Sequence, residues 1–127
     1  MRGRILLIED NELNRYLVTF LLGKHGFEVL AAEDGPTGIA LAEQESPDLV
    51  LLDIQLPRMD GYEVACALRR SPALAQTSIV AVTSYAMSGD RRKALEAGFD
   101  GYLEKPINPE WFVDQVQGFL DARGTTG

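Results

Sequence analysis

Between Leu49 and Leu52 four apolar side chains follow one another without alternation, and the next residue is Asp53. A run so short and so uniformly apolar reads as a strand buried on both faces, the kind a parallel sheet contains. The chain then turns. Pro57 and Gly61 punctuate a loop, and Asp60 is placed to cap a helix opening at Gly61 or Tyr62. A carboxylate where a buried strand ends is costly unless something pairs with it. Taken alone, Asp53 reads equally well as a loop cap or as a functional acid.

The rest of the chain repeats the pattern. Arg4–Glu9, Phe27–Ala32, Ser78–Thr83 and Asp100–Glu104 are further short strand candidates. Helical stretches fall between them: from Asp10 and Asn11 to about His25, from Pro36 to Glu45, from Tyr62 to Arg70, and from Ser88 to Ala97. A last helix opens at Pro109 and is expected to bury Phe112, Val113, Val116, Phe119 and Leu120. In the first helix the inward stripe is expected to be Leu13, Tyr16, Leu17, Phe20 and Leu21. Asn14, Arg15, Val18 and Leu22 then lie on another face, where two apolar residues stand unexplained by the core. Five strands alternating with five helices call for a parallel sheet covered on both faces. Ligands of such sheets sit beyond the carboxyl ends of the strands. Four of the five strands place polar chemistry there: Glu9 and Asp10, Asp53, Thr83 and Lys105.

Charge excludes one class of function. Twelve basic against nineteen acidic residues leave a net charge of -7, the wrong sign for a surface that meets phosphates of nucleic acid. No apolar run approaches the ~20 residues of a membrane span. Glu9 and Asp10 interrupt any signal-peptide core, and the single cysteine, Cys66, makes no internal disulfide, so a cytoplasmic location is expected. Cys66 reads as core filler, His25 as a helix-end residue favoured by the dipole, and Trp111 as packing. Met1, just before the first strand, is expected to be a natural N-terminus.

LLIEDN, LVLLDIQLPRMDG, VAVTS and GYLEKP, in that order and spacing, resemble the receiver domain of two-component response regulators over about Arg4 to Leu120. The resemblance implies an α/β, flavodoxin-like (βα)5 three-layer sandwich with strand order 2-1-3-4-5. The receiver is expected to occupy residues 1–123, with 124–127 a tail or the start of a linker. It implies a phosphoacceptor at Asp53 and Mg2+ bound by Asp10, Asp53 and the backbone carbonyl of Gln55, with Glu9 acting through water. Thr83 and Lys105 would meet the phosphoryl oxygens, Thr83 and Tyr102 would form the switch, and the Lys105–Pro106 bond would be cis. Gln55 and Tyr85 are expected to tune phosphoryl lifetime.

The partners implied are a histidine kinase or histidine phosphotransfer protein, docking on Asn14, Arg15, Val18 and Leu22, and a downstream protein. The latter would read the surface of the fourth and fifth helices and the fifth strand. Neither nucleic acid nor membrane is expected as a partner. The chain would promote its own phosphorylation and dephosphorylation without being an enzyme on a separate substrate. Two rivals stay open: a receiver-like adaptor not regulated by phosphorylation, and an aspartate-dependent phosphatase on the same fold. The latter usually carries a second carboxylate two positions after its nucleophile, where this chain has Gln55. A nucleotide or flavin binder is disfavoured, because no Gly-rich phosphate loop follows the first strand.

Overall fold

The computed structural model describes residues 2–83 and 96–124. Five parallel strands, β1 (Arg4–Ile8), β2 (Glu28–Ala32), β3 (Leu49–Asp53), β4 (Ser78–Thr83) and β5 (Gly101–Glu104), form one sheet in the order 2-1-3-4-5. The helices are α1 (Glu12–Lys24), α2 (Gly35–Glu45), α3 (Gly61–Arg69) and the C-terminal helix α4 (Pro109–Gly124), with a short 3-10 turn at Pro72–Leu74. The helix expected over Ser88–Ala97 lies almost wholly outside the described residues, and Tyr85 lies there too.

The unalternating runs become the three central strands, and the pleat divides their side chains between two layers. Leu6, Ile8, Val50, Leu52, Ile79 and Ala81 face one side, packed with Val64, Ala65 and Leu68 of α3 and Ala42 of α2. Ile5, Leu7, Leu49, Leu51, Val80 and Val82 face the other, packed with Val18 and Leu22 of α1 and with Phe112, Val116 and Leu120 of α4. Asn11 caps α1 by accepting from the Asn14 N–H at 2.9 Å, and Asp34 caps α2 by accepting from the Thr37 N–H at 2.8 Å. Asp60 and Glu63 form a reciprocal capping box at the start of α3. Each cap falls where a strand's carboxyl end hands over to a helix, so the caps fix the rim that carries the polar residues.

The first helix is turned the other way from expectation. Val18 and Leu22 are 2% and 0% exposed, whereas Leu13, Tyr16 and Phe20 are 73%, 67% and 54% exposed. Leu17 and Leu21 are half-buried between these faces. Val18 and Leu22 therefore belong to the core and are unavailable to a partner. The physical reason is that α1 carries two apolar faces and only one meets the sheet: Val18 and Leu22 pack among Ile5, Leu7, Phe112 and Val116. On the same side, beyond the Asn11 cap, the Arg15 guanidinium donates to the Glu9 carbonyl at 2.8 Å. Cys66 is likewise exposed instead of core filler, and Trp111 is exposed at the start of α4.

Candidate functional site

The order 2-1-3-4-5 puts β1 beside β3 and β3 beside β4, with Ile8 opposite Leu52 and Asp53 opposite Val82. Residues that follow those positions must therefore meet at one end of the sheet. Carboxylate oxygens of Glu9, Asp10 and Asp53, one from each, lie within 4.8 Å of one another. Glu9 and Asp53 are buried, and Asp10 is open to solvent. Thr83, the last residue of β4, is buried one step beyond Val82. Tyr102 pairs with Ala81 on β5 and packs, half-buried, against the α2–α3 layer.

Lys105 closes the group from the far side. Its Nζ is 2.8 Å from Glu9 Oε1 and 3.3 Å from Asp53 Oδ2, and the Lys105–Pro106 bond is cis. Asp53 Oδ1 accepts from the Gln55 N–H at 2.9 Å, and Glu9 Oε2 accepts from the Asn11 N–H at 3.2 Å. Burial pushes the Glu9 carboxyl above its usual range; Lys105 pulls it down, Asp53 adds to the rise, and burial prevails. For Lys105 burial acts downward, but the Glu9 and Asp53 carboxylates outweigh it and hold the ammonium above the usual lysine value.

Three carboxylates offering only oxygen, at this separation, suit a hard divalent cation of the Mg2+ type. The Gln55 side chain is exposed at the rim. Of the residues expected to meet a partner, Asn14 lines a cavity of about 480 Å³ with Leu17, Lys105, Pro106 and Ile107. Arg15 is half-buried, its guanidinium bonded to the Glu9 carbonyl and 3.9 Å from Glu33 Oε2. Sequence reasoning missed the direct Glu9–Lys105 pair. Spacing carries no signal for it, since the pair depends on how β1 and the end of β5 sit relative to one another across β3 and β4.

Residues 5–117 match the family model of the response regulator receiver domain. The chain is 35% identical over 120 residues to the polar-differentiation response regulator DivK of Brucella ovis, covering 94% of this chain and 98% of that one. Chemotaxis protein CheY4 of Vibrio cholerae superposes with a TM-score of 0.89 at 28% identity, covering 92% of this chain and 98% of that structure. The receiver domain of a sensor histidine kinase from Pseudomonas aeruginosa, solved with a magnesium ion in its active-site cleft, gives a TM-score of 0.86. It is 32% identical and covers 94% of this chain and 98% of its own.

Proposed function

This chain belongs to the response regulator receiver domain family, and from that premise we propose that it accepts a phosphoryl group on Asp53 from a phosphohistidine and thereby changes its partner-binding surface. The observation that carries this is the convergence of Glu9, Asp10, Asp53 and Lys105 at the carboxyl ends of β1, β3 and β5. Asp10, Asp53 and the Gln55 backbone carbonyl would hold a Mg2+ ion directly, with Glu9 acting through water. When bound, the ion supplies neutralisation of charge on the phosphoryl oxygens.

The remaining chemistry belongs to the chain. An oxygen of Asp53 forms a bond to phosphorus as the phosphorus–nitrogen bond to the donor imidazole breaks, and the imidazole nitrogen keeps the bonding pair. Lys105 is held against Asp53 before transfer, so its ammonium needs only a short shift to meet a phosphoryl oxygen. Thr83, buried at the end of the neighbouring strand, donates its hydroxyl to another. Drawing Thr83 toward the phosphoryl group leaves space that Tyr102 fills, and this carries the change to β5 and its flanks. Hydrolysis of the acyl phosphate at the same residues resets the receiver, so the chain acts on itself and not on a separate substrate.

A donor must bring its histidine over Asp53. The cavity lined by Asn14, Leu17, Pro106 and Ile107 opens beside Lys105 and supports docking of the kinase or phosphotransfer protein there. A cytoplasmic site of action goes with such a donor; among the described residues no helix is long and apolar enough to cross a membrane.

The test is transfer from a phosphorylated histidine phosphotransfer protein. The wild type is expected to take the label only with Mg2+ present, and Leu17→Asp to slow transfer while leaving acetyl-phosphate labelling unchanged. Transfer that persists in EDTA contradicts the reading.

A further inference from the structure

Gly61, the first residue of α3, sits directly against the segment that carries Asp53. Ile54, the residue between Asp53 and Gln55, has both backbone groups committed. Its N–H donates to the Val82 carbonyl at 3.2 Å, and its carbonyl accepts from the Gly61 N–H at 2.9 Å. The Gln55 N–H in turn donates to Asp53 Oδ1. A Cβ on Gly61 would lie 2.6 Å from Ile54 Cα, 2.8 Å from the Asp53 carbonyl oxygen and 3.2 Å from the Ile54 nitrogen. Carbon contacts are normally about 3.5–4.0 Å. All three are backbone atoms, so no side-chain rotation relieves the overlap. Nor is α3 free to retreat, because its capping box and the burial of Val64, Ala65 and Leu68 fix it against the sheet.

We propose that Gly61 is a positioning residue for phosphoryl transfer: its bare backbone, seated on Asp53 and Ile54, sets the placement of the Asp53 carboxylate and the Gln55 carbonyl. This rests on the reading of Asp53 as acceptor and adds a residue that has no side chain to offer the reaction. A β-carbon at this position displaces the strand end by a large fraction of an ångström, and misplacement of about 1 Å is enough to cost on the order of a hundred-fold in rate.

The experiment pairs Gly61→Ala with Gly101→Ala. In the latter the new Cβ would lie 2.3 Å from the Phe119 ring at the opposite end of the sheet, so it imposes an overlap away from the site. Mg2+ affinity is read by NMR titration and labelling by acetyl phosphate, both at a temperature where each variant is folded. Gly61→Ala is expected to weaken Mg2+ binding and slow labelling by about ten-fold or more, with Gly101→Ala within about two-fold of wild type. A folded Gly61→Ala within two-fold of wild type, or parallel losses in Gly101→Ala, overturns the proposal.

Should Gly61→Ala not fold, Asp60→Ala with Glu63→Ala releases the first turn of α3 without added bulk. Weakened Mg2+ binding then supports the proposal and unchanged binding overturns it. If wild-type protein neither binds Mg2+ nor takes label, the acceptor reading itself falls. The metal-free amide shifts of Ile54 and Gln55 in Gly61→Ala still report whether the strand end has moved, and unmoved amides overturn the positioning role.

Discussion

Replacing Lys105 with methionine removes the ammonium held against the acid cluster while keeping much of its aliphatic stem. Its Nζ lies 2.8 Å from Glu9 Oε1 and 3.3 Å from Asp53 Oδ2. At an effective dielectric of about 20 such contacts are each about 5–6 kcal/mol of Coulomb attraction, most of it offset by desolvation. Breaking a buried pair by removing one partner costs about 3–5 kcal/mol. Lys105 keeps some contact with solvent, which screens the pair and draws the cost toward the lower part of that range. We therefore expect Lys105→Met to lose about 2–4 kcal/mol of metal-free stability in urea unfolding with EDTA.

Mg2+ affinity moves the opposite way. The same carboxylates, freed of a competing cation, should bind the ion about ten-fold more tightly, or about 1.4 kcal/mol, and added Mg2+ should recover stability by mass action. Labelling by acetyl phosphate should nevertheless fall by about a hundred-fold, since a donor to the phosphoryl oxygens is gone. Stability within about 0.5 kcal/mol of wild type, together with unchanged or weaker Mg2+ binding, would refute the coupling of Lys105 to the acids.

Leu22→Ala should cost about 2–5 kcal/mol, whereas Phe20→Ala, on the exposed face of α1, should stay within about 0.5 kcal/mol of wild type; urea unfolding of both reads the helix orientation. Folding raises the Glu9 carboxyl, so the stability it contributes is fully present below the ordinary glutamate value of 4.5 and is lost as pH rises through the raised value. Metal-free stability curves of wild type and Glu9→Gln should therefore differ in slope across that window, and parallel curves would contradict the shift. Lys105, also raised, contributes stability that is lost only as pH climbs beyond the ordinary lysine value of 10.5.

The strands were legible because a buried parallel strand leaves a signature that needs no partner to read: short, unalternating and ended by a polar residue. Ser78–Thr83 has the bounds expected of it, and the other strands differ by a residue at one end. The site residues were legible as strand-end chemistry, but their pairing was not. Lys105 meets both Glu9 and Asp53, and that double contact depends on register and side-chain reach, neither of which spacing encodes. The orientation of α1 was misread for a related reason. Leu13, Tyr16, Leu17, Phe20 and Leu21 outnumber Val18 and Leu22, and apolar periodicity cannot distinguish a core face from an outer one when a helix carries both. A single contact, Arg15 to the Glu9 carbonyl, accompanies the choice that counting missed. Cys66 follows the same logic: small apolar neighbours on α3 suggested burial, yet it falls on the outer side.

The most direct test of the central claim is to map the phosphoryl group by mass spectrometry after incubation with acetyl phosphate and Mg2+. The account predicts a single base-labile, acid-stable phosphoryl group on Asp53, absent from Asp53→Asn and from wild type in EDTA. A phosphoryl group on any other residue of the wild type, or undiminished labelling of Asp53→Asn, would contradict it.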